Sequence, residues 1–323
     1  MSGTSTVERP QEPDFSVITS EELRVYREAE NRFRASAPAR AVLGEPHPGT
    51  AIDWQELALP GRDLPVRVYR PAPGGDVGHE GAADRTGLPL VVHVHGGGFV
   101  GTAVQCDWTS SHVAALLPAV VVSVEHRLLA FDSPLAYAAD DGWDVLDHVV
   151  RDAARWGVDP ARTAVFGESC GGLISALTAI RAREAGLELR AQVLVNPAVD
   201  VTGTMFDHAS MAEYAESPSR AEPQLRLVQR LAVPPGADAR AVSPLYAEDL
   251  GGLAPALVVV PTQDALADHG RRYAERLRAA GTPVRLTEYP GAKHAFLTLP
   301  ALEPQAEAAQ AEIVSFLRAA LTE

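Results

Sequence analysis

The sequence predicts an α/β protein built on a central, mainly parallel sheet. Three observations carry this. From residue 88 onward, short continuous apolar runs rich in Val recur at Leu90–Val94, Val120–Val124, Ala164–Phe166, Val193–Val195, Leu257–Val260 and Val284–Leu286; such runs suit strands buried on both faces. Helical patterns separate them, at Trp108–Leu117, Leu135–Ala154, Gly172–Ala185, Gly270–Ala280 and a final Gln305–Leu321. Strict alternation of the two implies right-handed crossovers between parallel strands. Ahead of them, Ile52–Leu59 and Leu64–Tyr69 flank Pro60-Gly61-Arg62-Asp63 and read as a hairpin. The hairpin adds antiparallel strands at one edge, for about eight strands in all.

Before the hairpin, residues 1–15 read as disordered or loosely attached. A helix starts near Thr19-Ser20-Glu21-Glu22, with Ser20 as its candidate cap, and runs through Leu23, Tyr26 and Phe33. Pro38 and the segment Gly44–Gly49 end it. Pro73–Gly87 reads as a loop. The stretch from Asp200 to Ser243 is too long for a simple connection and holds helix-like pieces at Met211–Ala215 and Ala221–Leu231. Together with the N-terminal helix it forms a candidate cap.

Bulk properties narrow the function. The net charge of −14, from 42 acidic against 28 basic residues, speaks against nucleic acid and other polyanionic partners. No run approaches the ~20 apolar residues of a membrane span, and no secretory signal is read at the N-terminus. Two cysteines, Cys106 and Cys170, make no disulfide framework. The expected location is cytoplasmic.

Three segments carry chemistry. Gly167-Glu168-Ser169-Cys170-Gly171 fits G-x-S-x-G between a strand-like and a helix-like stretch; a serine on such a turn projects its hydroxyl above the sheet. Upstream, His95-Gly96-Gly97-Gly98 follows an apolar strand. Backbone N–H groups of Gly97 and Gly98, with that of Cys170, can meet a tetrahedral oxyanion, and His95 and Gly96 support the loop. After Ser169 only His208, His269 and His294 remain as bases. His208 precedes any candidate acid and His269 lies on the helix that follows Asp264, which leaves His294. Asp264, just past a strand, is preferred as acid over Asp268, read as a cap for the next helix. The reading is acyl transfer with Ser169 as nucleophile, His294 as base and Asp264 orienting the imidazole. Cys170 is a rival nucleophile, its side chain expected to turn into the helix. A metal reading rests on His93 and His95, without an accompanying ligand pattern; no metal or cofactor is expected.

These motifs resemble the hormone-sensitive-lipase-like branch of the α/β-hydrolases, the bacterial family IV carboxylesterases. The likeness spans about residues 88–300. It includes HGGGFVGT (95–102), GESCGG (167–172), Asn196-Pro197-Ala198-Val199-Asp200, Ser243-Pro244-Leu245-Tyr246, the segment 263–284 and YPGAKHAF (289–296). The resemblance implies an α/β-hydrolase fold with a helical cap, residues 1–45 as its N-terminal segment and about 201–242 as an insertion in a catalytic domain 46–323. It implies a small-molecule ester with a short or medium acyl chain as substrate, and a homodimer is compatible with it. The departures are Glu168 and Cys170 for the usual Asp and Ala, Asp264-Ala265-Leu266 for Asp-Pro-Leu, and His126-Arg127-Leu128-Leu129-Ala130-Phe131 for Tyr-Arg-Leu-Ala-Pro-Glu. Glu168 is expected to shift its contacts toward the glycine loop. Competing readings are an acyltransferase or a dehydratase or cyclase on the same scaffold, and a non-catalytic receptor.

Overall fold

The computed structural model describes residues 7–72, 87–214 and 221–322. Its eight strands are β1 (Thr50–Leu59), β2 (Arg62–Pro71), β3 (Leu88–Val94), β4 (Val120–Val124), β5 (Val158–Glu168), β6 (Ala191–Val195), β7 (Ala256–Gln263) and β8 (Val284–Lys293). They form one sheet in the order β1-β2-β4-β3-β5-β6-β7-β8. Pairs β1–β2 and β2–β4 are antiparallel and the rest parallel. The α/β-hydrolase fold and its strand count are those the sequence predicts. Among the described residues no helix is long and apolar enough to cross a membrane.

The helices are α1 (Ser20–Arg34), α2 (Ala37–Leu43), α3 (Asp107–Leu116), α4 (Leu135–Arg151), α5 (Ala153–Trp156), α6 (Cys170–Glu184), α7 (Ala209–Tyr214), α8 (Ala221–Ala232), α9 (Ala267–Ala279) and α10 (Ala306–Thr322). The valine runs split between two faces because successive side chains in a strand alternate. Leu90, Val92 and Val94 of β3 pack with α4 and α6, whereas Val91 joins Val113 of α3 and Ile313 of α10 on the other side. The first face also takes Leu23 and Tyr26 of α1 and Leu227 and Leu231 of α8.

Several local expectations are corrected. Thr19, not Ser20, caps α1: its Oγ1 accepts the Glu22 N–H, and Glu22 Oε2 accepts the Thr19 N–H. Pro38 does not end a helix. It lies in the first turn of α2, where its missing N–H costs nothing. The segment before α1 is attached at Phe15, which is buried and meets Tyr26 edge-on; the rest of that call, residues 1–6, lies outside the described residues, as do 73–86 of the predicted loop and Ala215. The long helix predicted over Leu135–Ala154 breaks at Asp152 into α4 and α5. The helix predicted over Gly270–Ala280 starts earlier, at Ala267, after the N-cap Leu266, so Asp268 lies in its first turn and does not cap it.

A buried carboxylate ties the antiparallel edge to the segment after β4. Asp141 of α4, fully buried, accepts from the Arg127 N–H at 2.8 Å, from Arg127 Nη2 at 2.8 Å and from Arg62 Nη2 at 2.9 Å. Deleting one partner of a buried pair leaves the other charge uncompensated. Both arginines are partly exposed, so Asp141→Ala is expected to cost about 2–3 kcal/mol, less than a fully buried pair would. Urea unfolding of the two proteins measures it; an unchanged midpoint would show the network to be dispensable.

Candidate active site

The turn from β5 into α6 presents Ser169 with φ 55° and ψ −119°. A residue with a Cβ occupies this region at a cost, and the turn persists because its surroundings determine it. Ser169 N–H donates to the Val195 carbonyl at 2.9 Å, and its own carbonyl accepts from Leu173 and Ala198. The neighbouring glycines are required by proximity. A Cβ on Gly167 would lie 2.2 Å from the Gly171 oxygen, and one on Gly171 would lie 2.0 Å from the Val94 oxygen.

Three predicted side chains from three strand ends meet here. Ser169 Oγ lies 2.9 Å from His294 Nε2, and His294 Nδ1 lies 2.8 Å from Asp264 Oδ2. Asp264 is buried, and its Oδ1 accepts the Leu266 N–H at 2.9 Å. With the Nδ1 proton directed at the carboxylate, Nε2 is free to accept from the serine hydroxyl. Burial pushes the His294 pKa down, but the adjacent Asp264 and the nearby Glu168 outweigh it and leave it raised.

The other acid and bases lie elsewhere. Asp268 accepts the Ser210 N–H and pairs with Arg271 at 3.0 Å. His208 and His269 stack edge to face against each other, with His208 3.9 Å from Asp200.

The glycine loop after β3 runs beside this group. Gly97 (φ +105°) and Gly98 (φ +63°) take conformations that side chains disfavour. Among the described residues neither of their N–H groups donates to a backbone carbonyl. The Cys170 side chain faces this loop, where the N–H groups of Phe99 and Gly98 oppose the rise that burial imposes on its thiol pKa. The net rise keeps it a neutral thiol. His95 Nδ1 bonds the Gly96 carbonyl at 2.9 Å and its ring stacks on His126. His93 is occupied differently, with Nδ1 2.8 Å from Ser123 Oγ. Among the described residues no three His, Cys, Asp or Glu side chains gather as a metal site.

A family model described as the alpha/beta hydrolase fold matches residues 91–298. The chain belongs to that family. Carboxylesterase NlhH of Mycobacterium tuberculosis is 36% identical over 270 residues, covering 80% of this chain and 79% of that protein. The ethyl acetate hydrolase of Pseudomonas putida is 30% identical over 297 residues, covering 90% and 89%. A hyperthermophilic esterase from the archaeon Pyrobaculum calidifontis superposes with a TM-score of 0.79 at 29% identity, covering 94% of each chain. These likenesses bear out the resemblance to the carboxylesterase branch, and this α/β-hydrolase is an ester hydrolase.

Sequence reasoning missed several contacts in this hydrolase. The Glu168 carboxylate bonds to Thr298 and not to the glycine loop, although the residue's backbone carbonyl lies against Gly96. Glu168 is buried, and its Oε1 accepts from Thr298 Oγ1 at 2.8 Å, which ties the turn that carries Ser169 to the turn after His294. Arg34 of α1 pairs with the buried Glu30 and donates to Gln105 Oε1, and both Arg34 and Gln105 lean on Gly97. Gln224 of α8 leans on Gly98. These partners are far apart in sequence, and no local pattern signals them.

A base must be deprotonated to act, so a raised His294 pKa puts the acid limb of kcat/KM above the ordinary histidine value of 6.5. Asp264→Asn is expected to lower kcat by about 10⁴-fold. Glu168→Gln removes one of the charges that raise His294, so its acid limb moves to lower pH. Rate profiles from pH 5 to 9 check both; a limb unmoved in Glu168→Gln would exclude electrostatic coupling between the two.

Proposed function

We propose that this α/β-hydrolase cleaves short- or medium-chain carboxylic esters through an acyl-serine intermediate. The observation that carries the reading is the hydrogen-bonded series Ser169–His294–Asp264, with distances of 2.9 and 2.8 Å, assembled at strand ends. In the first step Ser169 Oγ attacks the carbonyl carbon while its proton passes to His294 Nε2. Asp264 keeps the imidazole in the required tautomer and stabilises its cation. The oxyanion is met by the N–H groups of Gly97, Gly98 and Cys170, which belong to the backbone and need no rearrangement. The tetrahedral adduct collapses, and the leaving alkoxide takes the proton from His294. Water then attacks the acyl-serine by the same route, releasing the acid and restoring the serine.

In this reading residues 1–45 and about 201–242 form the cap over the catalytic domain. Its support is that α1 and α8 lie over the same face as the glycine loop, with Arg230 donating to the Phe15 and Ser16 carbonyls at 2.8 Å. The positions of His95 and Gly96 support their role in bracing the oxyanion loop.

Turnover of p-nitrophenyl acetate and butyrate tests the nucleophile. Ser169→Ala is expected to lower kcat by about 10⁶-fold. Hydrolysis that survives in this variant and disappears in Cys170→Ala would transfer the role to the thiol. Conversion of Cys170 to Ala keeps the backbone N–H, and activity is expected to stay within about tenfold of the parent, less than the loss of an oxyanion donor would cause.

A further inference from the structure

A narrow cavity runs from the glycine loop into the space between α1 and α8. Phe99, Leu23, Leu129 and Leu227 give it apolar walls, and two polar side chains, Gln224 and Arg27, reach it. Gln224 marks the inner end, because its Nε2 would lie 2.3 Å from a Cβ on Gly98. Arg27 is the unusual member. Arg24, Arg34, Arg62, Arg67 and Arg127 each hold a carboxylate. Arg27 forms no such pair among the described residues. Its Nη2 donates to the Leu129 carbonyl, and its Nε is buried without any partner. Burial alone pushes its pKa down, to about 10, with no neighbouring charge opposing the shift.

Arg27 is half-buried, and a guanidinium whose Nε is buried without a partner is costly to keep. A methionine or leucine would fill the same space without that cost. The site instead retains a guanidinium with five N–H donors, one of them bonded to the Leu129 carbonyl, in a cavity that Gly98 of the glycine loop also lines. An anion arriving from solution would complete it with charge-assisted bonds, which are stronger than neutral ones.

The side of the ester that enters follows from the geometry. The leaving alcohol oxygen has to be within reach of His294 to receive its proton. The cavity is lined by the glycine loop, α1, α8 and Leu129, and includes neither His294 nor the turn that follows it. The group that occupies it is therefore the acyl chain.

We propose that Arg27 binds an anionic group at the far end of the acyl chain, so that the preferred substrates are half-esters of short dicarboxylic acids. The inference rests on the acyl-serine reading above. The cavity is about 10 Å³ as it stands, room for about one water molecule. An acyl chain therefore enters by parting α1 from α8, and the terminal carboxylate stays near Arg27. Gln224, at the inner end, contacts the chain next to the carbonyl.

The test compares two substrates within one protein. kcat/KM is measured in a pH-stat at pH 7.5 for monoethyl glutarate and ethyl hexanoate. The parent enzyme is expected to favour the half-ester. In Arg27→Met the ratio of the two values should fall by about 10- to 100-fold, the size expected for a charge-assisted bond. Arg27→Lys keeps the charge and should recover part of the ratio. Because the ratio is taken within each protein, it does not depend on the folded fraction. If the parent cleaves ethyl hexanoate and the ratio is the same in parent and Arg27→Met, the anion site is overturned while the role of Ser169 stands. A loss shared equally by both esters gives Arg27 a structural role and also overturns it. If the parent cleaves p-nitrophenyl butyrate but neither ethyl ester, the anion site is overturned alone; if it cleaves none of the three, the acyl-serine reading fails and this inference falls with it.

Discussion

The backbone of Gly171 passes so close to the end of β3 that a methyl group there would sit 2.0 Å from the Val94 oxygen, and this contact sets the geometry of the whole site. It presses the turn after β5 against the strand that leads into the glycine loop. Ser169 is held in its positive-φ conformation by that packing and by hydrogen bonds to Val195, Leu173 and Ala198. The Ser169 backbone and the N–H groups of the loop are thus fixed relative to each other by main-chain packing. Donors of this kind need no reorganisation when charge develops on the substrate. Any residue larger than glycine at position 171 would separate the two halves.

Electrostatics adds a second layer around this frame. Glu168 and Asp264 are both buried near His294, and they act through different routes. Asp264 binds the ring directly, whereas Glu168 holds Thr298 in the turn that follows it. The longer arm of Glu168, compared with the aspartate usual in related sequences, spans from the Ser169 turn to that second turn. The histidine is therefore fixed from both sides. Nearby His95 and His126 are driven the other way, with burial pushing each down to about 4. They stay neutral and serve as flat packing surfaces under the loop.

Much of this was legible from residues close in sequence. The valine runs could be read as strands because both faces of the sheet are covered, and Ser169, Asp264 and His294 because strand ends gather functional side chains in such folds. The cap residue of α1 was misread by one position. Thr19 and Ser20 both carry hydroxyls, but only Thr19 has a glutamate three residues later to complete the reciprocal pair. The contacts that were missed join distant positions: Arg34 with Gln105, Arg27 with Leu129, and Glu168 with Thr298, separated by 71, 102 and 130 residues. Each depends on how helices settle on the finished sheet, and periodicity carries no record of that.

The packing of α1 on α8 has a consequence for the order of events during synthesis. Arg230 binds the Ser16 carbonyl across 214 residues of chain. At about 5–20 residues per second, the N-terminal segment waits about 10–40 s on the ribosome before its partner emerges. Through that interval Phe15, Leu23 and Tyr26, all buried in the finished protein, have no α8 to cover them. His294 is added later still. The apolar face of α1 thus stays without this part of its cover until α8 has been made, and a chaperone could shield it through that interval.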